Sequence, residues 1–139
     1  MKVVFADTLY WVAIIKPRDQ WKDAAHKAKG SLGNAILITT DEILTEFLNI
    51  LAGGGPQLRE QAGKMVIAIM DNPNVRVIPQ TRDSFLKGLS LYEQRADKGY
   101  SLTDCISMRT MTSESVTEVL TNDHHYEQEG FTILVKKNL

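Results

Sequence analysis

The sequence contains few cysteines and prolines and no long apolar run. Cys105 is the single cysteine among 139 residues, which excludes an intramolecular disulfide framework and fits a reducing cytoplasm. No apolar stretch approaches the ~18 residues that a transmembrane helix needs. The opening MKVVFAD reaches an acid too early for a secretory signal peptide. We therefore expect a cytoplasmic protein without membrane association.

An excess of charge of either sign is also missing. The 16 basic residues nearly balance the 17 acidic ones, for a net charge of −1. Most nucleic-acid-binding domains are clearly basic, so the overall charge does not indicate such a partner. It does not exclude one either, because a local basic rim or a bound cation can attract a polyanion. The length and the 43% hydrophobic content predict one globular domain, residues 1–139.

Short β-branched runs alternate with longer amphipathic ones along the chain. We predict strands at 2–6, 36–39, 75–78, 116–120 and 131–135, and helices at 9–15, 20–29, 40–52, 57–71, 81–97 and 101–112. Strands separated by helices favour right-handed crossovers and parallel pairing. The predicted fold is α/β, a three-layer α/β/α sandwich with a mostly parallel central sheet.

Two acids directly follow predicted strands. In FADTLYW the apolar strand ends at Asp7, and in LTNDHHY a strand is followed by Asp123. Ligands bind parallel α/β sheets at the carboxyl ends of the strands. Either acid alone is better explained as a turn or cap residue, but the recurrence weakens that explanation. A buried acid needs a partner or a metal ion.

A third acid, Glu46, lies on the helix predicted at 40–52. Thr39 and Glu42 have the spacing of a capping box at its start. The residues expected on its buried face are Ile43, Leu44, Phe47, Leu48 and Leu51. Glu46 falls at the edge of that face, where a site residue and a solvated flank residue are equally compatible with the pattern.

The fourth acid, Asp104, begins a helix that is apolar on most sides. Ser101-x-x-Asp104 has the spacing of a capping box, and that role is compatible with a site. At the start of a largely buried helix its charge needs compensation.

Together, Asp7, Glu46, Asp104 and Asp123 could converge at one end of the sheet. Carboxylates held that close repel one another unless a cation lies among them. Oxygen ligands select hard ions, Mg²⁺ or Mn²⁺, and such clusters suit the hydrolysis of phosphodiesters.

Four segments carry a resemblance to a known family: VVFADTLYWVAI, TTDEILTEFLNIL, SLTDCISM and VLTNDHHYEQEGFTIL. In this order and over nearly the whole chain, they resemble the PIN-domain ribonucleases, particularly VapC-type toxins of toxin–antitoxin pairs. The resemblance implies a parallel α/β sandwich, an RNA substrate, a cognate antitoxin and a homodimer.

The resemblance also implies roles for individual residues. Asp7 and Asp104 would be the principal Mg²⁺ or Mn²⁺ ligands, with Glu46 and Asp123 completing the catalytic acids. The expected supporting residues are Thr8, which matches a small hydroxyl residue after the first acid, and Thr121, which would hydrogen-bond within the site. Tyr126 occupies the family's aromatic position, whereas Leu9 departs from the Ser or Asn often found there.

Other features and functions compete with this interpretation. His124 and His125 are adjacent and do not have zinc-pair spacing, which favours surface positions, with contact to a substrate phosphate as the alternative. A phosphohydrolase with Asp7 as nucleophile would want an acid where Leu9 stands. A catalytically silent PIN-like module that binds RNA or a protein remains the alternative from another class.

Overall fold

The computed structural model describes residues 1–137, and within them five strands form one sheet. Residues 138 and 139, the end of the predicted domain, lie outside the described residues. The strands are β1 (Lys2–Ala6), β2 (Ala35–Thr40), β3 (Val75–Ile78), β4 (Glu118–Leu120) and β5 (Thr132–Ile133). Their order is β3-β2-β1-β4-β5, and every neighbouring pair is parallel. The predicted sheet is thus parallel throughout.

Seven helices connect and cover these strands. They are α1 (Thr8–Ile15), α2 (Lys22–Ser31), α3 (Asp41–Leu51), α4 (Pro56–Asp71), α5 (Arg82–Gln94), α6 (Leu102–Ser113) and α7 (His124–Gln128). α1 contacts α2 and α3, α3 contacts α4, and α5 to α7 contact one another in sequence. The chain passes from β1 outward to β2 and β3, and then returns to β4 and β5 on the other side of β1. Because such crossovers are right-handed, this reversal places α1 to α4 on one face of the sheet and α5 to α7 on the other. The predicted α/β/α sandwich is confirmed.

The central strands are apolar because both of their faces are covered. Val4, Phe5 and Ala6 of β1 are fully buried, and Ile38 of β2 is almost so.

Among the described residues, no helix combines the length and the apolar character that crossing a membrane requires.

The start of α3 differs from the sequence prediction by one residue. Thr40, rather than Thr39, is the N-cap, and its hydroxyl accepts from the Ile43 N–H at 3.1 Å. The reason is that β2 extends through Thr40, which pairs with Ile78 of β3. The Thr39 hydroxyl is instead buried and donates to the carbonyl of Ala6 at 3.0 Å.

Two side chains of α3 also differ from their predicted roles. Glu42 does not complete a capping box but accepts from the Ser84 hydroxyl at 3.3 Å. Leu48, expected on the buried face, is 37% exposed. It lies at the edge of the apolar face of α3, at a surface pocket that Arg59 and Ala62 of α4 also line.

Several further boundaries differ from their predicted positions, among them the end of β5, which is Ile133 rather than 135. β4 begins only at Glu118, because the N–H of Val116 bonds back to Met111 at the end of α6. α5 ends at Gln94 rather than near 97, since Arg95 leaves helical geometry. α2 begins at Lys22 rather than 20, after Asp19 accepts from the backbone N–H of Trp21 at 2.8 Å.

α5 and α6 pack closely at Gly88. A Cβ at this position would overlap the Cγ1 of Ile106 and lie 3.2 Å from its Cα and backbone N. Gly63, on α4, has no neighbouring atom within 4 Å of its added Cβ. The two glycines are therefore a matched pair that differs in available space.

We expect Gly88→Ala to lower the free energy of unfolding by about 1–3 kcal/mol, because overpacking outweighs the gain in helix propensity. Gly63→Ala, as the control, should raise it by about 0.5–1 kcal/mol. Urea denaturation of both variants checks this. Equal midpoints for the two would show that α5 and α6 do not depend on the close approach.

Candidate active site

The carboxylate of Asp7 lies at the carboxyl end of the central strand. Asp7 follows β1 directly and is the N-cap of α1, but its side chain makes no capping bond. Its backbone N–H donates to Leu120 of β4 at 3.4 Å. The carboxylate therefore lies where β1 meets β4 and the direction of chain progression reverses, the usual position of ligand sites in parallel sheets.

Two hydroxyl groups hold this buried carboxylate. Thr121 donates to Oδ2 at 2.8 Å and Tyr126 donates to Oδ1 at 3.2 Å. Thr121 Oγ1 also accepts from the backbone N–H of Asp123 at 3.1 Å. One threonine thus fixes two of the four acids relative to each other.

Burial raises the pKa of Asp7 from 3.8 to about 7. The hydrogen bonds from Thr121 and the Thr8 backbone act against this rise, while the charges of Asp104 and Glu46 add to it. Burial likewise keeps the pKa of Tyr126 well above its ordinary value, so its hydroxyl remains a donor. The charged form of Asp7 is costly without a nearby cation.

Glu46 is connected to this carboxylate through the neighbouring residue. The hydroxyl of Thr8 donates to Glu46 Oε1 at 2.5 Å, which joins the start of α1 to the middle of α3. Glu46 is half-buried. The contact turns its side chain toward the end of β1, and the structure thus brings Glu46 and Thr8 together with Asp7.

Asp104 begins α6 with the capping box that the sequence predicts. Its Oδ2 accepts from the Ser101 N–H at 3.1 Å, and its own N–H donates to the Ser101 hydroxyl at 3.0 Å. Burial, more than any other cause, raises the pKa of Asp104, and the charge of Asp123 acts in the same direction. Although it caps α6, the Asp104 carboxylate still lies close to His125 and Asp123.

Asp123 caps α7 and places His125 among the acids. Its Oδ1 accepts from the His125 N–H at 2.9 Å. The His125 Nδ1 then lies 3.4 Å from both Asp104 Oδ2 and Asp123 Oδ1. Asp104, Asp123 and His125 each offer a ligand atom within 4.8 Å of the others.

The sequence pattern did not distinguish the two histidines. The His124 side chain is 70% exposed and pairs with Glu127, whereas that of His125 is 34% exposed and faces the site. Asp123 could have separated them. As the N-cap of a helix it accepts from the backbone N–H of the residue two positions later, which is His125 and not His124. A five-residue helix is too short to be recognised from periodicity.

The donor set fits a divalent cation. Asp104, Asp123 and His125 form one group of possible ligand atoms, and the charge of Asp104 also acts on the buried Asp7. Burial disfavours the charged forms of both Asp7 and Asp104. Within residues 1–137, no lysine or arginine forms a salt bridge with Asp7, Glu46, Asp104 or Asp123. Carboxylates that lack cationic side chains are typical of sites for hard divalent ions.

A groove of about 500 Å³ extends from Glu46. It is lined by residues of α3, by Gln80 and Phe85, and by Leu102, Thr103 and Ile106 of α6. The Gln80 N–H donates to Asp41 at 2.9 Å, which ties the loop before α5 to α3. The groove thus opens beside Glu46 and between α3, α5 and α6.

Comparison with known proteins is consistent with this geometry. The family model for the PIN domain matches residues 4–131. Comparison with curated proteins yields no match.

Among solved structures, VapC20 of Mycobacterium tuberculosis, described as a sarcin-ricin loop cleaving toxin, has a TM-score of 0.82 and 22% sequence identity to this chain. The match covers 93% of this chain and 96% of VapC20. FitAcB of Neisseria gonorrhoeae has a TM-score of 0.65 and 14% identity, with 94% and 96% coverage. A toxin–antitoxin complex from Klebsiella pneumoniae has a TM-score of 0.63 and 14% identity, with 98% and 99% coverage. These likenesses show a shared fold.

The raised pKa of Asp7 leads to a pH-dependent stability. Below pH 3.8 the folded and unfolded states are both protonated at this group. Between pH 3.8 and about 7 the folded state holds the proton and the unfolded state releases it, so the free energy of unfolding falls as pH rises. Above pH 7 the loss reaches roughly 4 kcal/mol.

We expect Asp7→Asn, in EDTA, to be less affected by this rise in pH than the wild type. Its stability relative to wild type should increase from pH 4 to pH 8 by up to about 4 kcal/mol, measured by urea denaturation at each pH. Asp71→Asn, an exposed acid at the end of α4, is the control and should follow the wild type. A constant difference between Asp7→Asn and the wild type at all pH values would contradict the buried charge.

Proposed function

The chain belongs to the PIN-domain family, and from this premise we propose that it is a Mg²⁺- or Mn²⁺-dependent endoribonuclease, the toxin of a toxin–antitoxin pair. The observation that carries the proposal is the buried Asp7 carboxylate, which lies close to the charges of Asp104 and Glu46 and has no lysine or arginine partner among residues 1–137. The fold shared with proteins described as toxins supports it. In this proposal residues 1–139 form a single, cytoplasmic nuclease domain.

Asp7, Asp104 and Asp123 would hold the ion, with Glu46 completing the catalytic acids. When bound, a divalent ion supplies positive charge for the phosphate and an activated water for attack on phosphorus. Thr121 and Tyr126 fix both oxygens of Asp7, so its orientation does not depend on the substrate. A cation bound beside Asp7 would lower its raised pKa and favour the charged form, so that ion binding and release of the proton would be coupled.

Glu46 has a free oxygen for proton transfer. Thr8 donates to Oε1, so Oε2 would be free to accept the proton of the water that attacks phosphorus. As the bond from phosphorus to the leaving ribose oxygen breaks, that oxygen would take up a proton from solvent water. The buried side of the site, formed by Tyr126, keeps bulk water away from Asp7. In this assignment Thr8 and Thr121 are positioning residues.

The groove beside Glu46 would receive the partners. Its apolar residues, among them Phe85 and Ile50, suit an unstacked base of single-stranded RNA. Arg82 lies over the Phe85 ring at 5.6 Å and adds positive charge at its edge. A cognate antitoxin would block the same approach, and a homodimer of the chain is part of the proposal.

The test is cleavage of end-labelled tRNA, rRNA fragments and single-stranded RNA in Mg²⁺, Mn²⁺ or EDTA. Wild type should cleave only with a metal, and Asp7→Asn and Asp104→Asn should each lose at least about 100-fold in rate, because each removes a ligand charge. Asp71→Asn, far from the acids in sequence and exposed, should cleave like the wild type.

Equal cleavage by wild type and both site variants that follows the protein through a further purification step would contradict the assigned site. RNA binding by a folded wild type that cuts no member of the panel would instead favour the silent binding module. Circular dichroism of each variant establishes that loss of activity does not reflect loss of fold.

A further inference from the structure

His125 lies in one cluster with Asp104 and Asp123, but the proposed function assigns it no role. It follows Asp123 by two residues, and its backbone N–H donates to Asp123 Oδ1 at 2.9 Å, which fixes its position. The side chain is 34% exposed and therefore reachable from solvent. We propose that His125 Nδ1 is a nitrogen ligand of the divalent ion and gives the site a preference for Mn²⁺ over Mg²⁺. This inference rests on the proposed function and extends it to the choice of metal.

The imidazole ring is held in place from its other side. Tyr100 packs against it with ring centroids 5.4 Å apart and planes inclined by 57°. The hydroxyl of Tyr100 donates to Glu129 at 3.0 Å, and Arg95 holds Glu129 with two hydrogen bonds of 2.8 and 2.9 Å. A ring so supported is oriented before any ion binds, as metal-ligating histidines generally are.

The distances around Nδ1 suit a shared ion. Nδ1 lies 3.4 Å from Asp104 Oδ2 and 3.4 Å from Asp123 Oδ1, which is long for an N–H···O hydrogen bond of about 2.7–3.2 Å. Two donor atoms about 2.1 Å from one ion are separated by roughly 3.0–3.5 Å. The observed spacing therefore corresponds to adjacent ligands of one ion.

A competing role is that of a cationic partner for the two carboxylates. In that case His125 would neutralise Asp104 and Asp123 and would be displaced, rather than bound, when a metal ion enters. The two roles differ in one measurable respect, which is whether the imidazole nitrogen touches the ion.

The identity of the ligand atom affects which ion is preferred. Oxygen-only sites suit Mg²⁺, whereas imidazole favours first-row transition metals. A site with carboxylate oxygens and one imidazole nitrogen should bind Mn²⁺ more tightly than Mg²⁺. Replacing the nitrogen by an amide should reduce this preference.

Pulsed electron paramagnetic resonance of the Mn²⁺-loaded protein tests the contact directly. The ¹⁴N modulation of a coordinated imidazole should be present in wild type and in His124→Gln, and absent in His125→Gln. His124 is the matched control, because it is the adjacent histidine but is exposed and pairs with Glu127. Calorimetry should show Mn²⁺ affinity reduced at least about tenfold in His125→Gln, with a smaller change for Mg²⁺.

Bound Mn²⁺ without ¹⁴N modulation in wild type would overturn the inference and leave the proposed nuclease intact, as would modulation that persists in His125→Gln. The wild-type spectrum decides this even if His125→Gln fails to fold. Failure of the folded wild type to bind Mn²⁺ or Mg²⁺ at all would overturn both this inference and the metal-dependent function.

Discussion

The burial of one carboxylate, that of Asp7, is the constraint on which the rest of the site depends. It lies at the end of the central strand, where covering helices exclude water, and its charge is expensive there. Two hydroxyl donors satisfy its oxygens without neutralising it. The charges of Asp104 and Glu46 increase the cost further, so the carboxyl of Asp7 either holds a proton or, in the proposed function, shares a cation with the other acids.

The parallel sheet explains how residues far apart in the chain form this arrangement. Asp7 and Thr121 are separated by 114 residues, yet β1 and β4 are neighbours and end at the same edge. Thr121 joins Asp7 to the backbone of Asp123, and the Asp123 cap in turn positions His125. These hydrogen bonds connect the end of β1 to the residues after β4 and to the start of α7, while strand pairing holds β4 beside β1.

Much of the fold could be predicted from the sequence because the alternation of strand and helix periods is strong. Asp7, Asp104 and Asp123 were selected because each lies beside a recognisable strand end or helix start, and Glu46 because it falls at the edge of the buried face of α3. Of these features, the cap formed by Ser101 and Asp104 is present as predicted. The α3 cap was misplaced because pairing of Thr40 with Ile78 extends β2, a tertiary effect that local spacing does not encode. α7 and the orientation of His125 were missed because a five-residue helix has no detectable period, and the contact with Asp104 exists only once α6 and α7 pack together.

The most direct test of this account is the ionisation of Asp7 itself, followed through the ¹³C chemical shift of its side-chain carboxyl by NMR. In EDTA the carboxyl should titrate near pH 7 rather than near its ordinary pKa of 3.8. Addition of Mg²⁺, which is diamagnetic and does not broaden the spectrum, should make it ionise at clearly lower pH, because the cation stabilises the charged form. An ordinary pKa in EDTA, or a pKa that does not respond to the ion, would contradict the claim that Asp7 is buried to bind a metal.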